Sequence, residues 1–149
     1  MYSDNITLFN NYKSRLGDMW YPTIIRGVNL NIDKAAIIAK YGAESKDNVV
    51  LNVHYTVLDA KKMIGNKPYL PPKEWERQTN DMLPKTVTFA SGIDFDFFMA
   101  GEYENTEPIS DDDYIDGFYN HINNTYDYVF AVTSVAEYSV IPHFEIMGA

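Results

Sequence analysis

The sequence predicts a mainly β domain of the α+β kind: a small β-barrel or sandwich with one late helix and a short early helix or hairpin. Pattern reading finds about six to eight stretches that alternate or run apolar at strand length. The last stretch, residues 125–149 (TYDYVFAVTSVAEYSVIPHFEIMGA), is rich in aromatic and β-branched residues, which favour strands. Residues 110–124 carry helical spacing instead. At 149 residues, with no repeat, low-complexity tract or long linker, the chain is expected to form one domain spanning 1–149.

In chain order, Ile6-Thr7-Leu8-Phe9 with Tyr12 reads as a first strand or a docking segment, and Arg15-Leu16-Gly17-Asp18 as a turn. Residues 19–32 form a long strand with a kink at Gly27, where a β-bulge fits. Asp33 to Lys40 is either a short helix capped by Asp33 or the far side of a hairpin, and 41–48 is a loop. Residues 49–57 are a strand. Prolines at 68, 71 and 72 argue against a regular element until Pro72, which suits a first helical turn that Trp75 fastens to the body. TVTF at 86–89 is a strand. Ile93 to Phe98 alternates acids with aromatics, so Asp94 and Asp96 are placed on one solvated strand face. An acidic loop (101–108) precedes a helix that Ser110 caps, with Asp111, Asp112 and Asp113 at its positive end. Ile115, Phe118, Tyr119 and Ile122 mark its buried face. The chain closes on a hairpin broken at 136–139, whose last member, after Pro142, is read as an edge strand.

The formal net charge of −9 disfavours a nucleic-acid binder, which needs a cationic patch to neutralise phosphates. It is compatible with DNA passing nearby without sticking. With no cysteine, disulfides and thiolate metal sites are excluded. No export signal or apolar run of membrane-spanning length is visible, so no membrane role is expected.

Residue chemistry does not point to an enzyme. His54, His121 and His143 lie in different elements without metal-ligand spacing, and they read as separate imidazoles. Asp94 and Asp96 offer paired carboxylates for a cation or for acid–base work, yet strict alternation explains the pair. The triple aspartate lacks the spacing of a calcium loop, and helix capping accounts for it. No phosphate-binding or nucleophile-elbow glycine pattern occurs. Neither a catalytic residue, a metal site nor a cofactor is therefore expected. Trp20, Tyr21, Tyr41, Tyr55, Tyr69 and Trp75 sit near element ends or loops, where aromatic residues serve as interface anchors or fill the core.

Three stretches together carry a resemblance. They are ITLFNNY (6–12) followed by WYPTIIRGVN (20–29); AESKDNV (43–49); and YDYVFAVTSV (126–135) with PHFEI (142–146). This order resembles small head-to-tail connector proteins of tailed bacteriophages and prophages of Gram-positive bacteria, of the head-closure (stopper) or minor capsid type. Residues 67–80 and 101–113 are longer than that resemblance leads one to expect. It implies a structural virion protein of the phage neck, made in the host bacterial cytoplasm. Copies would form a ring, on the order of six or twelve subunits closed by rotation. The ring would contact portal or adaptor and tail proteins, and DNA would pass through it. Trp20, Tyr21, Tyr41, Tyr69 and Trp75 would be interface anchors. Asp94, Asp96, Glu102, Glu104, Asp111 and Asp112 would lie on channel or ring-contact loops. The alternatives are a tail terminator or tail-completion protein, a monomeric acidic binding module acting on a host factor, and a hydrolase using Asp94, Asp96 and a bound cation.

Overall fold

The structure is a computed structural model that describes residues 2–32 and 49–149. The expected early helix or hairpin (33–40), the loop 41–48 and Tyr41 lie outside the described residues.

The first two strands, β1 (Asp4–Ser14) and β2 (Gly17–Ile32), form a long antiparallel hairpin. Then come β3 (Val49–His54), β7 (Phe97–Ala100), β9 (Val129–Tyr138) and β10 (His143–Gly148). Their order is β1-β7-β9-β10-β3-β2, and β2 pairs back onto β1, so these six strands close into a mainly antiparallel barrel. The barrel alternative is therefore the observed one. Closure removes the free edges of the main sheet. It also corrects the expectation for β10: that strand is paired on one side with β9 and on the other with β3, so it is interior. Pro142 precedes it in the turn, where its missing N–H costs no ladder bond.

Gly27 is the bulge that the sequence predicts. Asp4 faces Val28 while Asn5 faces Arg26, so Gly27 has no partner, and its φ of +70° suits glycine. Simple alternation puts Ile25 and Val28 on opposite faces. The extra residue brings both into the same buried cluster. The break in the last hairpin comes later than expected, since β9 runs on to Tyr138 and the turn takes 139–142.

Three smaller strands lie outside the barrel: β4 (Thr56–Leu58), β5 (Lys61–Ile64) and β6 (Lys67–Pro68). The strand expected over 49–57 is therefore broken at Tyr55: residues 49–54 belong to the barrel, and Thr56 and Val57 open this second sheet, which continues through a stretch read as irregular. Asp59 and Ala60, both at positive φ, turn β4 into β5. A short helix, α1 (Pro72–Glu76), starts at its proline as expected, and Trp75 is buried. Residues 86–89 are not a regular strand: Val87 alone bridges Tyr69, in parallel.

The barrel interior holds Ile6, Leu8, Ile25, Leu51, Phe98, Phe130, Phe144 and Ile146. A second cluster covers the outside of the wall, where Phe9, Trp20, Phe97, Met99 and Val129 meet Phe118 and Ile122 of α2 (Phe118–Thr125). β9 is thus buried on both faces only at its start: Val129 faces α2 and Phe130 faces the interior, while Thr133 and Ser134 are exposed. The helix does not begin at Ser110. That residue ends β8 (Ile109–Ser110), which pairs with the start of β2, and Asp111–Asp113 form a single 3-10 turn. Ile115, expected to be buried, is fully exposed on the connection to α2.

The helix is capped from a distance. The Asp111 Oδ1 accepts the Phe118 N–H at 2.8 Å and the Trp20 Nε1–H at 2.9 Å. Gly117, at φ +86°, leaves room for that carboxylate, since a Cβ there would stand 3.2 Å from it. Asp111→Ala should cost about 1–3 kcal/mol, because it strips a cap and leaves an indole N–H unpaired. Urea unfolding followed by Trp fluorescence checks this, and an unchanged midpoint would remove the capping role.

Candidate functional site

The aromatic candidates separate into core and rim. Trp20, Tyr21 and Trp75 are buried. Trp20 packs on Phe97 at 4.9 Å, and Trp75 contacts Tyr12 and Tyr21 near 6 Å. Tyr55 is likewise buried and touches Phe144. This corrects their reading as interface anchors: turns fold back over the barrel wall, so residues at element ends are covered by the next element. Tyr69 is half-buried against Phe89 and Phe144, and burial raises its pKa.

The acidic candidates also divide. Glu102 is tied to Arg26 at 2.9 Å and accepts from Asn5 at 2.9 Å. Asp111 is spent on Trp20 and α2. Glu104 and Asp112 are exposed. Asp94 is exposed and pairs with Lys13 at 3.0 Å. Asp96 is completely buried, so it belongs neither to a solvated face nor to a channel loop. The alternation that placed it beside Asp94 fails because residues 92–94 form a bend and turn and strand pairing begins only at Phe97. The two carboxylates do not form the pair that a hydrolase reading requires.

Asp96 organises a polar cluster inside one end of the barrel. Its Oδ1 accepts the Asn11 N–H at 2.7 Å. Its Oδ2 accepts the Ala90 N–H at 2.8 Å and the Asn10 Nδ2–H at 2.9 Å. Asn10 Nδ2 also donates to the Thr88 carbonyl at 2.7 Å. Burial dominates the carboxyl group and pushes its pKa up to about 7, against three N–H donors that hold it down. The buried Asn10 Oδ1, Asn11 Oδ1 and Thr88 Oγ1 have no hydrogen-bond partner in the structure. Sequence reading missed these residues. The available signal was an Asn-Asn pair inside a strand, where asparagine is disfavoured.

At another place the barrel presents apolar groups to solvent. The Tyr55 N–H donates to the Pro142 carbonyl at 3.3 Å, which holds the β9–β10 turn against the β3–β4 junction. Val57 and Leu58 of β4, Tyr138 of β9, and Val140 and Ile141 of the turn are all exposed there, Val140 at 96%. His54 and His143 stand opposite each other on β3 and β10 beside this end. Both rings rest on tyrosines, Tyr2 at 3.8 Å and Tyr138 at 4.8 Å. Among the described residues no group of His, Cys, Asp and Glu has the makings of a metal site. No described helix is long and apolar enough to cross a membrane.

The family whose model matches residues 1–149, the whole chain, is described as a family of unknown function, DUF6751. No curated protein matches the chain, and no solved structure does.

Proposed function

The chain belongs to the DUF6751 family, and from this premise we propose that it is a structural assembly protein: a connector subunit of the tailed-phage neck, repeated as a ring between portal or adaptor and tail. The observation that carries this reading is the apolar end formed by Val57, Leu58, Tyr138, Val140 and Ile141. Large side chains exposed together mark a surface that another molecule covers. The main sheet is closed, so a neighbour cannot extend it by pairing with an edge strand. Contacts must then run through loops and short outlying strands, where these residues sit. The net charge of −9 suits a ring around DNA, because an acidic lining repels the phosphate backbone. Glu104, Asp112, the Lys13-paired Asp94 and the Arg26-paired Glu102 are the exposed acids among the candidates, and such a lining retains them.

Averaged electron microscopy of particles that carry this chain tests the proposal. The expected result is a closed ring of this barrel between portal and tail, with the 139–142 turn against a neighbour. Val140→Asp together with Ile141→Asp should leave the fold intact, since both side chains face solvent, and should abolish ring incorporation. A neck with no density for the chain would overturn the reading. A stable monomer that captures a host protein through the same apolar end would replace it with the binding-module alternative.

A further inference from the structure

We infer that the cleft between β2 and the β5–β6 turn is a binding site for a carboxylate carried on a short apolar body. This inference is independent of the assembly reading. The cleft, roughly 440 Å³, has Thr23, Ile24 and Arg26 of β2 on one side and Ile64, Gly65 and Lys67 on the other. The chain carries 21 acids against 12 bases. Even so, no acidic side chain among the described residues lines this cleft.

Lys67 is the group that lacks a partner. Its ammonium donates from β6 to the Thr23 hydroxyl on β2 at 2.9 Å, so the charge lies between the two walls of the cleft. Lys67 is only partly buried, so solvent reaches it. An ammonium group has three N–H donors and no acceptor, and the Thr23 hydroxyl takes one of the three. Among the described residues the ion pairs join Lys13, Arg26 and Lys62 to Asp94, Glu102 and Glu137, and Lys67 has none. Burial, with no carboxylate to offset it, lowers its pKa. Cations drawn out of water are normally paired. A bound anion would supply both the charge and the acceptors that Lys67 is missing.

The lining selects the kind of anion. Arg26 is already engaged, since Glu102 accepts its Nε–H at 3.2 Å and its Nη2–H at 2.9 Å. Lys67 therefore offers one uncompensated positive charge. A carboxylate matches it with one negative charge and two acceptor oxygens for the remaining Lys67 N–H groups. A phosphate dianion brings a second charge that only Arg26 could meet, and Glu102 holds that group. Pro22, Ile24 and Ile64 give the cleft apolar surface for a short hydrocarbon body. A cation would meet Lys67 and Arg26 with no acid in the lining to favour it.

The test uses the full chain labelled with ¹³C and ¹⁵N and titrated with sodium pentanoate at pH 6. Sodium chloride, sodium phosphate and the neutral isostere pentanamide are the controls, the salts at equal ionic strength. Saturable shifts are expected for the amides of Ile24 and Gly65, one on each wall of the cleft, with pentanoate alone. Lys67→Gln should fold normally, because the side chain is only partly buried. It should weaken half-saturation by about tenfold or more, the loss of one charge-assisted hydrogen bond. In the wild type a bound carboxylate favours the charged amine, so the Lys67 Cε resonance should titrate at higher pH with pentanoate than with chloride. That second measurement keeps the inference testable if Lys67→Gln does not fold. An absent response, an equal response to pentanamide or phosphate, unaltered binding by Lys67→Gln, or an unmoved Lys67 titration would each overturn it.

Discussion

Gly148→Ala will destabilise the protein by about 1–3 kcal/mol, and Gly148→Val by more, because the interior has no room for a side chain at that point. Gly148 ends β10, opposite Val49 and beside the β9 residue Val132. A Cβ there would lie 2.7 Å from Val49 Cγ1, 3.0 Å from Phe130 Cβ and 3.1 Å from Phe98 Cζ. None of the three can give way freely. Val49 is a β-branched residue on a paired strand, so its χ1 is restricted, and both phenylalanines are wholly buried. Backbone conformation is not at issue, since the glycine lies in an extended strand. Chemical denaturation checks the prediction directly. A Gly148→Ala midpoint within error of wild type would mean that the barrel relaxes at this seam. A double replacement, Gly148→Ala with Val49→Ala, should recover part of the loss by removing the closest clash.

The second large effect is on pH. The folded-state pKa of Asp96 is about 7, whereas the carboxyl group of an unfolded aspartate titrates near 3.8. Between those values the native state holds a proton that the unfolded state has released. Stability from this group is therefore fully present below pH 4, falls as the pH rises, and is lost above pH 7. Integrated over that window, wild type should be about 2–3 kcal/mol less stable at pH 8 than at pH 5 on account of Asp96. Other groups titrate as well, so the quantity to measure is the difference between wild type and Asp96→Asn at each pH. The gap should change with pH in this direction. A constant gap would mean that Asp96 titrates like an ordinary carboxylate, with its three N–H donors outweighing burial.

The comparison of sequence with structure turns on how local each signal is. The late helix illustrates both sides. Phe118 and Ile122 were legible as its buried face because four-residue spacing is a property of the segment itself. Ile115 was misread because the same periodicity continues across Gly117, whose conformation starts the helix afresh. The missed β4–β6 sheet has the same cause in reverse. Its strands are two to four residues long, too short to show a period, and its turn uses Asp59 and Ala60 at positive φ without a glycine.

The candidate site was less legible than the fold. A buried polar cluster has no period: Asn10, Thr88 and Asp96 come from separate stretches and meet only because β1 pairs with β7 while residues 88–90 fold over the end of the barrel. Surface and core aromatics were equally hard to separate. Trp20 and Tyr138 both stand in β-strands, yet α2 and β8 bury the first, while the second, stacked on His143, stays 46% exposed.

By itself, then, the sequence determined the mainly β class, the long second strand with its bulge at Gly27, the proline-started turn around Trp75 and the apolar hairpin that ends the chain. These follow from side-chain alternation, turn chemistry and backbone preference, which act over a few residues. Only the tertiary structure decided that the sheet closes, that β10 is an interior strand, that Asp96 is buried while Asp94 is not, and that the apolar groups of β4 and of the β9–β10 turn share one end. Those outcomes depend on which distant strands pair and in which register, and a shift of one residue in register would exchange inside for outside along a whole strand.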